Sequence, residues 1–338
     1  MVEEKITASF MAVAHGREAT EESSVKRYLG VAAVKVLTIN PNKETLSKIL
    51  ETENIKDEPN YLGKTTVKNY KNEDTEVPQV RLTFWVQTDP AMETNAGIDT
   101  KLSFTIFLSK GYRYSFKNGV TKVQVIDKYG RTAWATQEDV KTGKIPQYIR
   151  KKTGEPFNAN ISEGYRPMYI GEEELIGFIK AYLGLPEPTE WDDDKKVFVM
   201  RKDPSDAECM LDNIENYFKG DIQELRDIVS YQPNNKFKAL FGIRTASNGN
   251  QYQACYTKHF LKLGNNRLSK LDEEIQGEYA ENRLQNALYE VHPLSVYKVT
   301  PTDYSEGQQP AESDGTNSAA DVDPFAAAAS GDDMPFGE

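Results

Sequence analysis

A chain of 338 residues, 38% of them hydrophobic, can bury one large core or two modest ones. No apolar run approaches the ~20 residues that cross a bilayer, and the start, MVEEKITASF, lacks the layout of an export signal, so the cytosol is the expected compartment and no membrane partner is expected. Two cysteines and three histidines exclude a disulfide framework and speak against zinc, whereas the net charge of -11 is an average over segments of opposite sign.

In chain order, NKETLSKILETE (42 to 53) places Leu46, Ile49 and Leu50 on one helical face. Strands dominate residues 65 to 136. VRLTFWVQ (80 to 87) sets Val80, Leu82, Phe84 and Val86 against Arg81, Thr83, Trp85 and Gln87. KLSFTIFLS (101 to 109) alternates in the same way, and glycine-bearing turns then lead into YRYSF, VTKVQVID and GRTAWAT. Five short antiparallel strands suit a small OB-like barrel at about 65 to 150 within an α+β fold.

Helices and a second hairpin are expected over about 155 to 299. GEEELIGFIKAYLG (171 to 184) stacks Leu175, Phe178, Ile179, Tyr182 and Leu183, with acids in its first turn and Gly184 and Pro186 as its stop. DAECMLDNIENYFKG and DIQELRDIV read as a helical pair. KFKALFGIR and QYQACYTKHFLKL read as a hairpin turned at Asn248-Gly249, and residues 266 to 289 as a longer helix. From about residue 300 the composition turns to Ser, Gly, Ala, Pro, Gln and acids, and disorder is expected for 300 to 338.

The cations are concentrated. Residues 101 to 152 carry 12 Lys and Arg against 3 acids, and residues 226 to 270 carry 8 against 1. Both stretches interleave rings with cations, the combination that holds single-stranded nucleic acid: cations follow phosphates, and each base stacked on a ring contributes ~1 to 3 kcal/mol. Trp85 and Phe107 are the leading candidates, because each falls on the polar side of its strand beside Arg81 or Lys101. Lys110, Tyr112, Arg113, Tyr114, Lys122, Arg131 and Trp134 extend the first block. Lys236, Phe237, Lys238, Arg244, Tyr252, Tyr256 and Lys258 make up the second.

Enzymatic signatures are missing: no Walker loop, Rossmann fingerprint, His-Glu-x-x-His or elbow serine occurs. WDDDKK (191 to 196) gathers carboxylates that diverge in direction and reads as a solvated loop after GLPEPTE. Cys255 and His259 read as a buried thiol beside a surface imidazole. The residues therefore call for no catalytic group, metal or cofactor.

The last segment, 300 to 338, has nine acids and no Lys or Arg, and twice sets acids before Pro-Phe, in DVDPF and DDMPF. Such a tether, at millimolar effective concentration, would compete with phosphates for the chain's own basic grooves. Asp332, Asp333, Met334, Pro335 and Phe336 resemble the acidic carboxyl-terminal tip of bacterial and phage single-stranded DNA-binding proteins. In that family an OB-fold core binds the strand and the tip recruits replication, recombination and repair enzymes. Here Gly337 and Glu338 follow the phenylalanine, and the body is longer than in the bacterial proteins, closer to the single-chain proteins of large DNA phages. The resemblance implies a protein that coats single-stranded DNA without sequence preference, monomeric or weakly associating, with single-stranded DNA and replication or recombination proteins as partners. A virion or nucleoid structural protein, and a nuclease or recombination enzyme with dispersed acids, are the alternatives.

Overall fold

Alternation along residues 74 to 112 builds two long antiparallel strands, β4 (Asp74–Thr88) and β5 (Lys101–Tyr112), which pair with Phe84 opposite Phe104, Leu82 opposite Ile106 and Val80 opposite Leu108. These six inward side chains are all buried. The structure is a computed structural model that describes residues 25–28, 30–92, 95, 99–245, 251–258, 260–264 and 297–300.

The first half of β4 also carries β3 (Leu62–Lys68), and its second half pairs with β2 (Gly30–Ile39), which has a bulge between Val36 and Thr38. Next to β2 lies β15 (Lys236–Thr245), which pairs in turn with β16 (Gln251–Cys255) and β17 (Leu261–Lys262). On the far side of β5 sits the short β12 (Tyr169–Ile170). The result is a curled eight-stranded antiparallel sheet in the order β12-β5-β4-β2-β15-β16, in a mixed α+β fold with few helices.

The inner face of this sheet is filled by the helix Glu172–Leu183, here α3, which follows the shorter helices α1 (Lys43–Leu50) and α2 (Gln137–Thr142). Phe178 stands 4.5 Å from Phe84, 5.3 Å from Phe237 and 5.9 Å from Phe260 by ring centroids, while Phe84 stacks on Phe104 at 4.8 Å. Truncating Phe178 in such a packed cluster costs about 3–5 kcal/mol. The helix starts at Gly171, φ 90°, where a Cβ would lie 1.9 Å from the Phe107 carbonyl oxygen, so the close approach of helix and strand demands glycine. It ends at Gly184 in the left-handed region, with the Leu185 N–H donating to the Lys180 carbonyl. Glu172 in its first turn is buried because it accepts from the Tyr169 N–H at 2.9 Å and from Arg166.

A second, four-stranded sheet joins β6 (Tyr114–Ser115), β7 (Lys122–Ile126), β8 (Thr132–Thr136) and β11 (Arg166–Pro167) over a small core of Val123, Val125, Ala133, Ala135 and Ile161. Strands expected together at 65 to 136 are thus divided between two sheets. The large sheet also takes in β2 and β15, outside that range, with β2 beside β4 at its centre. Two separate hairpins leave the body: β9 (Gln147–Ile149) with β10 (Pro156–Asn158), and β13 (Thr189–Asp192) with β14 (Val197–Met200). The second of these corrects the expected loop at 191 to 196: Asp192 accepts from the Asp194 and Lys195 N–H groups and Lys196 takes φ 53°, which closes a turn.

The expected helix at 206 to 220 shrinks to one turn, α4 (Ile214–Tyr217), because Glu224 accepts from the Asp212 and Asn213 N–H groups and holds the preceding chain out of helix. Its companion forms as expected, as α5 (Gln223–Tyr231). At the edge of the body β1 (Val25–Tyr28) pairs with β18 (Tyr297–Thr300). The expected helix at 266 to 289, the Asn248-Gly249 turn, His259 and the expected disordered stretch beyond Thr300 lie outside the described residues.

Candidate nucleic-acid interface

The side of the large sheet turned away from α3 is polar by design of the alternation. Arg81 on β4 is directly opposite Phe107 on β5, and the Thr83 and Thr105 hydroxyls meet at 3.0 Å in the next pair. Phe107 is 39% exposed, on a surface that packing alone does not require. Arg81 is exposed, and its guanidinium donates to the Asn60 carbonyl.

Further along, Lys101, Gln87, Lys35 and Lys236 stand in one row across β5, β4, β2 and β15, at the usual strand spacing of ~4.8 Å. Lys236 pairs with Asp89, and that hydrogen bond, helped by the Ala91 N–H, holds the Asp89 carboxyl below its ordinary value. Around Lys35 and Lys236 the surface dips into a depression of about 340 Å³, also lined by Asp99 and Asn234.

A second cluster lies at the start of α3, between the two sheets. Gln124 on β7 faces Trp134 on β8 and reaches Glu173 at 3.5 Å. Burial raises the Glu173 carboxyl above its ordinary value and neighbouring Glu174 adds to this, while Arg113 and Lys258 pull the other way. Arg113 from the first basic segment and Lys258 from the second therefore act on the same carboxylate. Lys122 sits 5.6 Å from the Tyr148 ring, and the Trp134 N–H donates to the Tyr148 hydroxyl at 2.7 Å, leaving Trp134 half-buried beside them. The Gln124 Oε1 has no hydrogen-bond partner although it is buried.

Several candidates are elsewhere. Trp85 is only 3% exposed, because α1 lays Leu46 and Leu50 over it. Lys101 is held by that helix: its ammonium donates to the Ile49 carbonyl and to Glu51, both at 2.7 Å, at the helix C-terminus where a cation is favoured. Phe237 is fully buried among Phe104, Phe178 and Phe260, since its strand turns even-numbered lysines outward and odd-numbered residues inward. Lys238 points to the outer face but is itself largely covered.

Tyr112 stacks on Tyr169 at 5.2 Å and belongs to the seam between the cores. Tyr114 is half-buried against the smaller core, 6.3 Å from Phe116. Lys110 pairs with Glu215 at 2.8 Å. Arg131 serves the buried Asp127. Tyr256 packs on Val31, Leu240 and Leu261. Arg244 and Tyr252 pair in the β15–β16 register, and their side chains lie outside the described residues, as do Asp332, Asp333, Met334, Pro335 and Phe336.

The arrangement also contains groups that sequence reasoning passed over. Lys35 is hidden in the sequence because GVAAVKVLTI is a mostly apolar run with little alternation. Phe157, with the Arg150 guanidinium 5.1 Å from its ring centroid, came to light only through the hairpin Gln147–Asn158. Among the described residues no group of three or more His, Cys, Asp or Glu is placed to hold a metal ion, and no helix is long and apolar enough to cross a membrane. No protein-family model matches the chain, no curated protein matches it, and no solved structure matches its fold.

Proposed function

We propose that this chain is a non-catalytic, sequence-tolerant binder of single-stranded DNA that coats and protects unwound strands in replication, recombination or repair. The observation that carries the reading is the meeting of the two basic segments. They are far apart in sequence, yet β4 and β2 join β5 of the first segment to β15 of the second in one sheet. Phosphates would run along Arg81, Arg113, Lys258 and Lys35, and bases would stack on Phe107 and Trp134. In this reading the curled sheet serves as a distant, OB-like platform, of the kind carried by large DNA phages.

The acidic segment from 300 to 338 supports the same reading through its charge. Nine carboxylates would occupy the basic surface until nucleic acid displaces them, and the freed DDMPF tip would then offer a ring and acids to a basic, apolar pocket on a replication or recombination protein. Titration of the full chain with oligo(dT) and with duplex of equal length tests the function. Preference for the single strand, with tryptophan quenching, is expected. Equal affinity for both forms would make it a structural DNA protein, and magnesium-dependent cleavage would make it an enzyme.

A further inference from the structure

The two hairpins that leave the body share a property the DNA reading does not use. In the hairpin Thr189–Met200, Trp191 and Phe198 are cross-strand neighbours with ring centroids 5.1 Å apart, and they are 48% and 69% exposed. Val197 and Met200 are exposed beside them. In the hairpin Gln147–Asn158, Ile149 is 64% exposed and Phe157 is exposed under Arg150. Isolated two-stranded hairpins are marginal in water, and exposed ring pairs on them mark contact surfaces.

Their charges are opposite. Residues 189 to 200 hold four acids and two lysines, and residues 147 to 158 hold three cations and one acid. The acidic character of the first hairpin makes a nucleic acid an unfavourable occupant, and its ring pair suits an apolar surface edged with cations, which the second hairpin presents.

Both are rooted at the same point. The Arg131 guanidinium donates to Asn160, just past the basic hairpin, at 3.1 Å, and contacts the Met200 sulfur, at the end of the acidic one, at 3.2 Å. The hairpins are therefore anchored next to one another on the body. We propose that they are the two halves of a self-association surface. The acidic hairpin of one copy seats against the basic hairpin of a second copy, and the reverse contact forms at the same time. Because each copy carries both halves with neighbouring roots, a two-fold axis that pairs them reciprocally satisfies both contacts and the assembly closes as a dimer. Arg150 and Lys151 of one copy approach the Trp191 ring of the other, where a cation over an indole adds to the ion pairing.

This inference does not rest on DNA binding, and its test contains no nucleic acid. Sedimentation velocity of the full chain is run at about 0.03 M and about 0.5 M salt, on either side of the ionic strength at which screening shortens to ~10 Å. A dimer is expected at low salt and a monomer at high salt. Two charge-reversed chains are then compared: Glu190→Lys with Asp193→Lys and Asp194→Lys, which spares the turn-forming Asp192, and Arg150→Glu with Lys151→Glu and Lys152→Glu. Each is expected to be monomeric alone, and an equimolar mixture to dimerise.

Trp191→Ser with Phe198→Ser, at exposed positions, supplies a second route to the monomer without altering charge. Circular dichroism and melting curves check that each variant is folded. A monomeric wild type at low salt, dimers of either reversed chain alone, or a mixture that stays monomeric overturns the proposal.

Discussion

The Asp127 carboxylate lies fully buried 2.7 Å from the Arg131 guanidinium and also accepts from the backbone N–H groups of Tyr129, Arg131 and Ser162. One side chain thus ties the β7–β8 turn to the segment that leads into β11. Asp127→Ala leaves those donors and the cation unpaired, and a loss of about 3–5 kcal/mol is expected in chemical denaturation. Arg131→Ala lowers the melting temperature too, but leaves the salt dependence of DNA binding unchanged, because the arginine is committed to the fold. A salt slope that falls with Arg131→Ala returns this residue to the interface.

Phe107→Ala removes a partly exposed ring whose remaining surface packs on the sheet. Affinity for oligo(dT) is expected to fall by about 1–3 kcal/mol, the worth of one stacked base, with the chain still folded and its melting temperature lowered only by the lost packing. Fluorescence anisotropy on a labelled oligonucleotide reads the first effect and calorimetry the second. Unaltered affinity removes Phe107 from the binding surface.

Intrinsic fluorescence divides among Trp85, Trp134 and Trp191. Binding of oligo(dT) is expected to quench Trp134 and spare Trp85, which lies beneath α1. A Trp134→Phe chain therefore loses the DNA-dependent change, whereas Trp85→Phe keeps it. The reverse result places the strand under the helix.

Glu173 has its carboxyl raised above the ordinary range by burial. The folded state binds this proton more tightly than the unfolded chain. Its stabilising contribution is therefore complete below the unfolded value of ~4.3 and is lost as pH rises through the folded value. Glu173→Gln is expected to flatten stability against pH across that interval. At neutral pH it also removes a negative charge near Arg113 and Lys258, so oligo(dT) binds more tightly. Denaturation series and titrations at several pH values check both, and unchanged affinity at neutral pH separates this carboxylate from the interface.

Deleting residues 301 to 338 removes nine carboxylates. Tighter binding to single strands at moderate salt is expected, with loss of partner capture and an unchanged melting curve. A truncated chain with the affinity and partners of the full one ends the idea that the segment masks the surface.

Much of the scaffold was legible in the sequence wherever burial on one face was regular. The stripe from Leu175 to Leu183 appears as a helix with nearly the expected bounds, and the alternation of Val80, Leu82, Phe84 and Val86 appears as a strand that starts well before the expected 80, at Asp74. Residues 30 to 39 were not legible, because a central strand with apolar neighbours on both faces shows little alternation. Trp85 misled for a related reason: strand alternation states which face a ring is on, and cannot state that α1 will cover that face. Lys110 lies on the surface, Lys101 and Lys236 are half-buried, and acids distant in sequence neutralise all three, pairings that are set by tertiary contact alone.

The register that joins Ala33 to Lys238 has a price in time. Contacts so remote along the chain give slow folding, and a ribosome adding ~5 to 20 residues per second needs roughly 10 to 40 s to deliver the second strand after the first. During translation the nascent β2 has an open hydrogen-bonding edge beside Ala32 and Val34, which β4 cannot cover because it pairs along the opposite edge, so this edge stays a target for misassociation until β15 emerges.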